Sequence, residues 1–358
     1  MSHAETLPPT SPALTVIGRT APTADGSGLL MAFPGIELRF TYTGEAPAIR
    51  LHADSDTCFF NLSINGAPDA VLQLEEGDNL VPLPSGPAPE SGRLVSLVRR
   101  TEAWQGIVTF GGLEFDPTAT QLLAAPAPRD RRVLVIGDSI TTGHYVEQLP
   151  PTPDPTPRTN NAARTWGWIL ARSLGAEVNI VAYGGRGLIR TWDGRTDQAN
   201  APAFFERAVP DHPETPADPE YLWDHSRYTP DLIVIMLGQN DFNLGVPDAA
   251  HFKSTYRNLL SRLHRLHPDA AVILCGSPMQ HPHPADPDSS DPEKRTTLYR
   301  WLHELATAAP ALGFDSDRIA VVEVSHQPGT PLNAHPVVFQ MEQIATEIAP
   351  TARQLTGW

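Results

Sequence analysis

The sequence predicts two successive folds in one chain. An antiparallel, jelly-roll-like β-sandwich over 13–123 precedes a three-layer α/β domain with a parallel sheet over 133–358. Three observations predict this. Up to about residue 123 apolar and polar residues alternate with a period of two. Beyond residue 132 the apolar residues form continuous runs separated by helical periods. Between them, Ala124–Arg132 (AAPAPRDRR) reads as a linker, because prolines two apart continue neither a strand nor a helix. Residues 1–12 read as a tail.

In the first half Ile36, Leu38, Phe40 and Tyr42 alternate with Glu37, Arg39, Thr41 and Thr43, as in a strand with one buried face. Ile49, Leu51 and Ala53 repeat the pattern, as do Phe60, Leu62 and Ile64. The latter run ends at Asn65-Gly66, a dipeptide suited to the positive φ of a hairpin turn. Short strands follow at Ala70–Leu74, Leu94–Val98, Ile107–Phe110 and Leu113–Phe115. In the second half Val133–Ile136, Val178–Val181, Leu232–Leu237, Ala271–Leu274 and Ile319–Val324 read as strands covered on both faces. Helical periods run through Trp166–Leu174, Phe252–Leu266, Leu298–Leu305 and Val338–Ile348. Strand–helix alternation of this kind builds a parallel sheet between helices. Proline-rich segments at 147–158, 210–219 and 281–292 read as long loops.

Composition narrows the function. A net charge of −15 with no basic face argues against a nucleic-acid partner. No apolar run reaches the roughly 18 residues of a membrane span. The first twenty residues have neither a basic start nor an apolar core, so no secretory signal is visible. A cytoplasmic location is therefore favoured, with export the reading if a leader has been removed. Cys58 and Cys275 have no metal or redox spacing and read as small buried apolar residues.

In an open α/β sheet reactive groups gather beyond the carboxyl ends of the strands. Four segments fall there or close by. Gly137-Asp138-Ser139-Ile140 follows the first strand, where a serine can offer its hydroxyl to a pocket and its own N–H to an oxyanion. A helix-capping serine is the plain alternative. Tyr183-Gly184-Gly185-Arg186-Gly187 follows the next strand, and glycine lets a backbone N–H approach an oxyanion closely. Its spacing fits neither phosphate-loop fingerprint, leaving an ordinary turn as the competitor. Leu237-Gly238-Gln239-Asn240-Asp241 follows the most apolar strand, and Asn240 can supply a further oxyanion donor or close an Asx-turn. Asn333-Ala334-His335-Pro336 precedes the last helix, where His335 can serve as general base to Ser139 or be a capping or surface histidine.

Taken together, the order Ser, Gly, Asn, His resembles the SGNH or GDSL-like hydrolases from residue 133 to the C-terminus. Upstream, Arg99-Arg100-Thr101-Glu102-Ala103, Gly106 and Phe110-Gly111-Gly112-Leu113-Glu114 resemble the end of the sandwich that precedes this domain in carbohydrate esterase family two. Tyr228-Thr229-Pro230-Asp231, Leu237–Phe242 and Gly185-Arg186-Gly187 resemble the same family, so the likeness covers nearly the whole chain. It implies a serine esterase that removes O-acetyl groups from oligo- or polysaccharides through an acyl-enzyme. Ser139 would be the nucleophile and His335 the base, with Ser139 N–H, Gly185 N–H and the Asn240 amide as oxyanion donors. No cofactor or metal is implied, the partner is an acetylated carbohydrate, and nothing in the sequence speaks to oligomeric state. A carbohydrate-binding protein with little turnover and a lipase or thioesterase compete with this reading.

Two departures stand out. Many relatives place an aspartate two or three residues before the histidine, where this chain has Asn333 and Leu332. His335 is therefore expected to act in a dyad oriented by Asn333 or a main-chain oxygen, and Asn333→Ala to cost little. Relatives also often carry an aromatic just before the histidine, where this chain has Ala334, which favours a short acetylated substrate. Tyr145, Tyr183, Trp192 and Trp223 are the aromatic candidates for substrate binding, with core packing as the alternative for each. His281, His283, Asp286 and Asp288 have a metal-like composition on a loop that fixes no geometry, and Asp193 and Asp197 read as a solvated charge cluster.

Overall fold

The computed structural model describes residues 4–67, 70–84, 88–149, 156–210, 221–281 and 293–358. These divide into two compact units: the described residues of Met1–Pro128 with Ala208–Trp223, and those of Arg129–Arg207 with Asp224–Trp358.

The first unit is built from β1 (Glu5–Leu7), β2 (Thr15–Ile17), β3 (Thr20–Pro22), β4 (Leu29–Met31), β5 (Glu37–Gly44), β6 (Ala48–Ala53), β7 (Phe59–Ile64), β8 (Ala70–Gln73), β9 (Gly77–Pro82), β10 (Ala88–Arg99), β11 (Val108–Phe115) and β12 (Thr120–Leu122). They form two antiparallel sheets, ordered β3-β4-β11-β6-β9 with β1 on β11, and β12-β5-β10-β7-β8 with β2 on β5. The period of two has its expected cause in β6: Ile49, Leu51 and Ala53 are buried while Arg50 and His52 are exposed. In β5 Leu38, Phe40 and Tyr42 are buried, but so is Arg39, while Glu37, Thr41 and Thr43 of the polar phase are half-buried. The Asn65-Gly66 turn has φ of 53° and 71°, the paired positive values that the dipeptide is suited to.

Two segments join this unit from unexpected places in the sequence. Glu5–Leu7, within the segment read as a tail, pairs with Phe115–Leu113 of β11. Three residues, two of them exposed, leave too little pattern to read. Trp223 belongs to this unit as well, buried to 7% exposure with the Arg19 guanidinium 5.4 Å from its ring centroid. Arg99, fully buried, donates to the backbone carbonyls of Met31, Thr101, Glu102 and Gly106. The Arg-Arg-Thr-Glu segment is thus a girder between strand ends.

The second unit holds β13 (Arg132–Gly137), β14 (Glu177–Ala182), β15 (Leu232–Met236), β16 (Ala271–Cys275) and β17 (Ile319–Val322), all parallel and ordered β14-β13-β15-β16-β17. Every residue of β14, β15 and β16 is buried; successive side chains point to opposite faces, so both faces are covered. The covering helices include α2 (Trp166–Ser173), α5 (Ala249–Leu266), α6 (Lys294–Ala308) and α7 (Val338–Thr356), with the short α1 (Ser139–Thr142) and α4 (Gln239–Asn243) at strand ends and α3 (Ala201–Phe204) farther along the chain after β14. Helix α5 buries Phe252, Tyr256, Leu259, Leu260 and Leu263, the stripe its sequence period laid out. Cys58 and Cys275 are free and buried.

The second unit breaks off after Arg207 and resumes at Asp224, and an ion-pair cluster joins residues near those two points. His225 Nε2 lies 3.1 Å from Glu206, while Arg262 of α5 grips the same carboxylate at 2.9 and 3.0 Å. Burial pushes the Glu206 carboxyl up, but the hydrogen bonds from His225 and Arg262 outweigh it and bring its pKa down to about 2.

Candidate active site

Strand β13 lies between β14 and β15, so the chain turns one way from it and later the other. The crevice at such a switch point is where open α/β sheets bind ligands. Ser139 stands there, directly after β13. Gly137 admits the turn, because a Cβ on it would lie 2.0 Å from Thr141 Oγ1. Asp138 caps α1, its carboxylate accepting from Ile140 N–H at 3.1 Å. The capping role that competed for Ser139 therefore falls to its neighbour. Ser139 itself is 7% exposed.

His335, on the loop before α7, brings Nε2 to 2.9 Å from Ser139 Oγ. Asn333 Oδ1 lies 3.1 Å from His335 Nδ1 and also accepts from His335 backbone N–H at 3.1 Å. A backbone N–H can only donate, so the Asn333 atom facing it is oxygen. That oxygen in turn requires the proton on Nδ1, leaving Nε2 free to accept from the Ser139 hydroxyl. Burial, and after it the neighbouring His144 imidazole, bring the His335 pKa down to about 3.

The other two segments meet beside this pair. Gly185 has φ of +74°, a left-handed conformation that favours glycine, and a Cβ there would stand 3.0 Å from Trp192 Cδ1. Asn240, 5% exposed at the start of α4, donates from Nδ2 to Arg186 O at 2.9 Å and lies 3.3 Å from Asp138 Oδ2. Two acceptors on one atom identify it as the nitrogen. Asn240 thus connects the immediate neighbours of Ser139 and Gly185.

The four aromatic candidates separate by burial. Trp192 is 58% exposed and donates its backbone N–H to Gly185 O at 3.0 Å, so it flanks the glycine loop from the solvent side. Tyr145 is half-buried at φ 50°, its ring 3.9 Å from that of His144 and its N–H on Asn160 Oδ1 at 2.8 Å. Tyr183 is 7% exposed, stacked on Phe204 and covered by the Arg186 guanidinium 4.9 Å away. Trp223 is buried in the first unit, as described. Packing therefore accounts for both Tyr183 and Trp223.

Asp193 accepts from Thr191 and Asp197 pairs with Arg195 at 3.0 Å, each locally engaged at the surface. His281 faces His326 with ring centroids 4.7 Å apart, while His283, Asp286 and Asp288 lie outside the described residues. Among the described residues no three His, Cys, Asp or Glu side chains gather as a metal site, and no helix is long and apolar enough to cross a membrane.

Sequence reasoning passed over two residues. The His144 ring meets that of His335 edge-on at 4.8 Å; its place five residues after Ser139, just past the end of α1, was the available signal. The second is Asp241, the last residue of the Leu237–Asp241 segment. It is fully buried and accepts from Leu188 N–H and Ile189 N–H at 2.8 Å and from Arg190 N–H at 3.2 Å.

Comparison with known proteins bears on the same segments. Residues 135–328 match the GDSL-like lipase/acylhydrolase family and residues 16–126 the carbohydrate esterase 2 N-terminal family. The chain is 32% identical over 358 residues to an acetylxylan esterase / glucomannan deacetylase of Cellvibrio japonicus, covering 100% of this chain and 93% of that protein. Among solved structures, a family two carbohydrate esterase from Cellvibrio japonicus superposes with a TM-score of 0.86 at 31% identity, covering 100% of this chain and 99% of that one. Another, from Clostridium thermocellum in complex with cellohexaose, gives 0.83 at 26% identity over 96% of this chain and 99% of that one.

Proposed function

The chain belongs to the GDSL-like lipase/acylhydrolase family and, within it, to the family two carbohydrate esterases, and from that membership we propose how it works: as a serine esterase that removes O-acetyl groups from carbohydrates such as xylan or mannan fragments. The observation that carries the mechanism is the 2.9 Å approach of His335 Nε2 to Ser139 Oγ, with the tautomer fixed by Asn333.

In the proposed reaction Ser139 Oγ attacks the acetyl carbonyl carbon as His335 Nε2 takes its proton. The developing oxyanion is held by the N–H groups of Ser139 and Gly185 and by the Asn240 amide, which gives up its long 3.3 Å contact with Asp138 Oδ2 to turn that N–H to the oxyanion and keeps the other on Arg186 O. The tetrahedral intermediate collapses, the C–O bond to the sugar breaks, and His335 returns its proton to the departing alkoxide. Water, deprotonated by the same imidazole, then attacks the acetyl-serine; the Oγ–C bond breaks, the imidazolium returns its proton to Ser139 Oγ, and acetate leaves.

An amide replacing the carboxylate of a serine triad can cost about 10⁴-fold when it imposes the wrong tautomer. Here the His335 backbone N–H forces the amide oxygen toward the ring, so that loss is avoided. What remains missing is the carboxylate charge that would stabilise the imidazolium. Trp192, exposed beside Gly185, offers an aromatic face of the kind on which a sugar ring stacks.

The deciding experiment is acetate release from acetylated xylo-, manno- and gluco-oligosaccharides, with Ser139→Ala as the blank. Release that vanishes in the variant supports the assignment. Equal release by both proteins, or a strong preference for octanoyl over acetyl esters, overturns it.

A further inference from the structure

A carboxylate buried without a catalytic task is costly unless its hydrogen bonds accomplish something. Asp241 is fully buried, and three consecutive backbone N–H groups, those of Leu188, Ile189 and Arg190, converge on its two oxygens. Its side chain fits only because the facing residue has none: a Cβ on Gly187 would lie 2.5 Å from Asp241 Oδ2 and 2.4 Å from Arg190 O. Arg190 completes the grip in the other direction, its Nε donating to Asp241 O and its Nη2 to Gly245 O, both at 2.7 Å. The preceding residue holds the same loop through the Asn240–Arg186 O bond. The turn after β15 therefore fastens the loop after β14 at residues 186, 188, 189 and 190.

Other bonds reach the loop from its own side, among them Ala201 N–H on Gly187 O at 2.9 Å and the Arg186 guanidinium on Gln198 Oε1 at 2.6 Å. Arg186 N–H reaches Tyr183 O only at 3.4 Å, and Trp192 N–H reaches Gly185 O at 3.0 Å. Gly185 is left-handed and has no side chain to pack it in place, so its aim depends on the backbone around it. We infer that Asp241 is a positioning residue for the oxyanion hole, anchoring residues 188–190 so that the Gly185 N–H stays aimed at the carbonyl that Ser139 attacks. The inference rests on the esterase reading above and adds to it a residue that touches neither substrate nor Ser139. On this account the Gly-Gly-Arg-Gly and Gln-Asn-Asp segments are two halves of one fastening, with Gly187 shaped to receive the carboxylate.

Asp241→Asn tests it, because asparagine keeps the volume but replaces one acceptor oxygen by an NH₂ that opposes an N–H. Oxyanion stabilisation acts on the transition state, so kcat should fall about a hundredfold, as a displacement near 1 Å typically does, while KM stays within about twofold. Combined with Asn240→Ala, the loss should fall short of the product of the two single losses, since both act on one oxyanion. A folded Asp241→Asn enzyme with kcat within about twofold of wild type overturns the inference, as does a loss carried by KM alone. Should Asp241→Asn not fold, Arg190→Gln carries the test by loosening the same fastening from the half-buried side, with about a tenfold lower kcat at unchanged KM expected. Unchanged kcat in that variant overturns the inference. Ser139→Ala runs alongside: if it stays active the esterase reading itself has failed, a result distinct from any Asp241 outcome.

Discussion

An imidazole that leans on an amide oxygen instead of a carboxylate is a weaker base and a harder one to protonate. His335 is in that position, buried, with a second imidazole 4.8 Å away and its pKa brought down to about 3. The neutral form is the working base, so lowering the pKa keeps it in service as the pH falls. The acid limb of kcat/KM is therefore expected well below the ordinary histidine value near 6.5, measurable in a pH–rate profile. Asn333→Asp places a negative charge on Nδ1–H, which favours the imidazolium and should move that limb back toward neutrality. Of the two bonds that Asn333→Ala removes, the one to the ring is worth about 1 kcal/mol, so kcat should drop roughly fivefold, far less than for His335→Ala. Asn240→Ala removes an oxyanion donor and should lower kcat by about two to three orders of magnitude, with the circular dichroism spectrum retained.

At the scale of elements, legibility follows where the constraint lies in the sequence. The strands of the parallel sheet were readable because burial on both faces forces an uninterrupted apolar run, as in Leu232–Met236. Ser139, Gly185 and Asn240 were readable because each stands at the end of such a run. The Asn333 contact was only half readable: its spacing to His335 is local, but which oxygen would orient the ring depends on how the loop before α7 turns. Asp241 was not readable at all, since its partners lie 51 to 53 residues away and a carboxylate announces nothing about which N–H groups it will meet. Glu206 is a similar case, joining His225 and Arg262 across distances in sequence that no period links. Glu206→Gln should destabilise the protein by about 1–2 kcal/mol in urea unfolding at neutral pH, a discounted figure because the cluster is partly exposed. With its pKa held at about 2, Glu206 contributes fully above the ordinary glutamate value of 4.5 and loses that contribution as the pH falls through about 2, so variant and wild type should converge in strong acid.

At the scale of the whole molecule, charge and patterning excluded more than they assigned. A net charge of −15 and the absence of a long apolar run left a globular enzyme or binder as the open classes. The likeness of both halves to one esterase family then decided between them. On that basis acetyl esters of sugars should be turned over in preference to octanoyl esters, which a side-by-side comparison of the two acyl lengths would check. What the patterning missed at this scale was connectivity. A sandwich followed by an α/β domain reads as two beads on a string, yet Trp223, far past the linker, is buried against Arg19 near the start.

That detour has a practical consequence. Because the described residues of Ala208–Trp223 belong with those of Met1–Pro128, scission at the 124–132 linker would not yield two independent pieces. The C-terminal fragment would carry an indole made to lie beneath a guanidinium it no longer has, and the N-terminal fragment would keep that guanidinium over Phe33 but without the indole. Exchange of sandwiches between relatives by genetic fusion thus needs two crossover points, one in the linker and one around the excursion bracketed by Glu206 and His225.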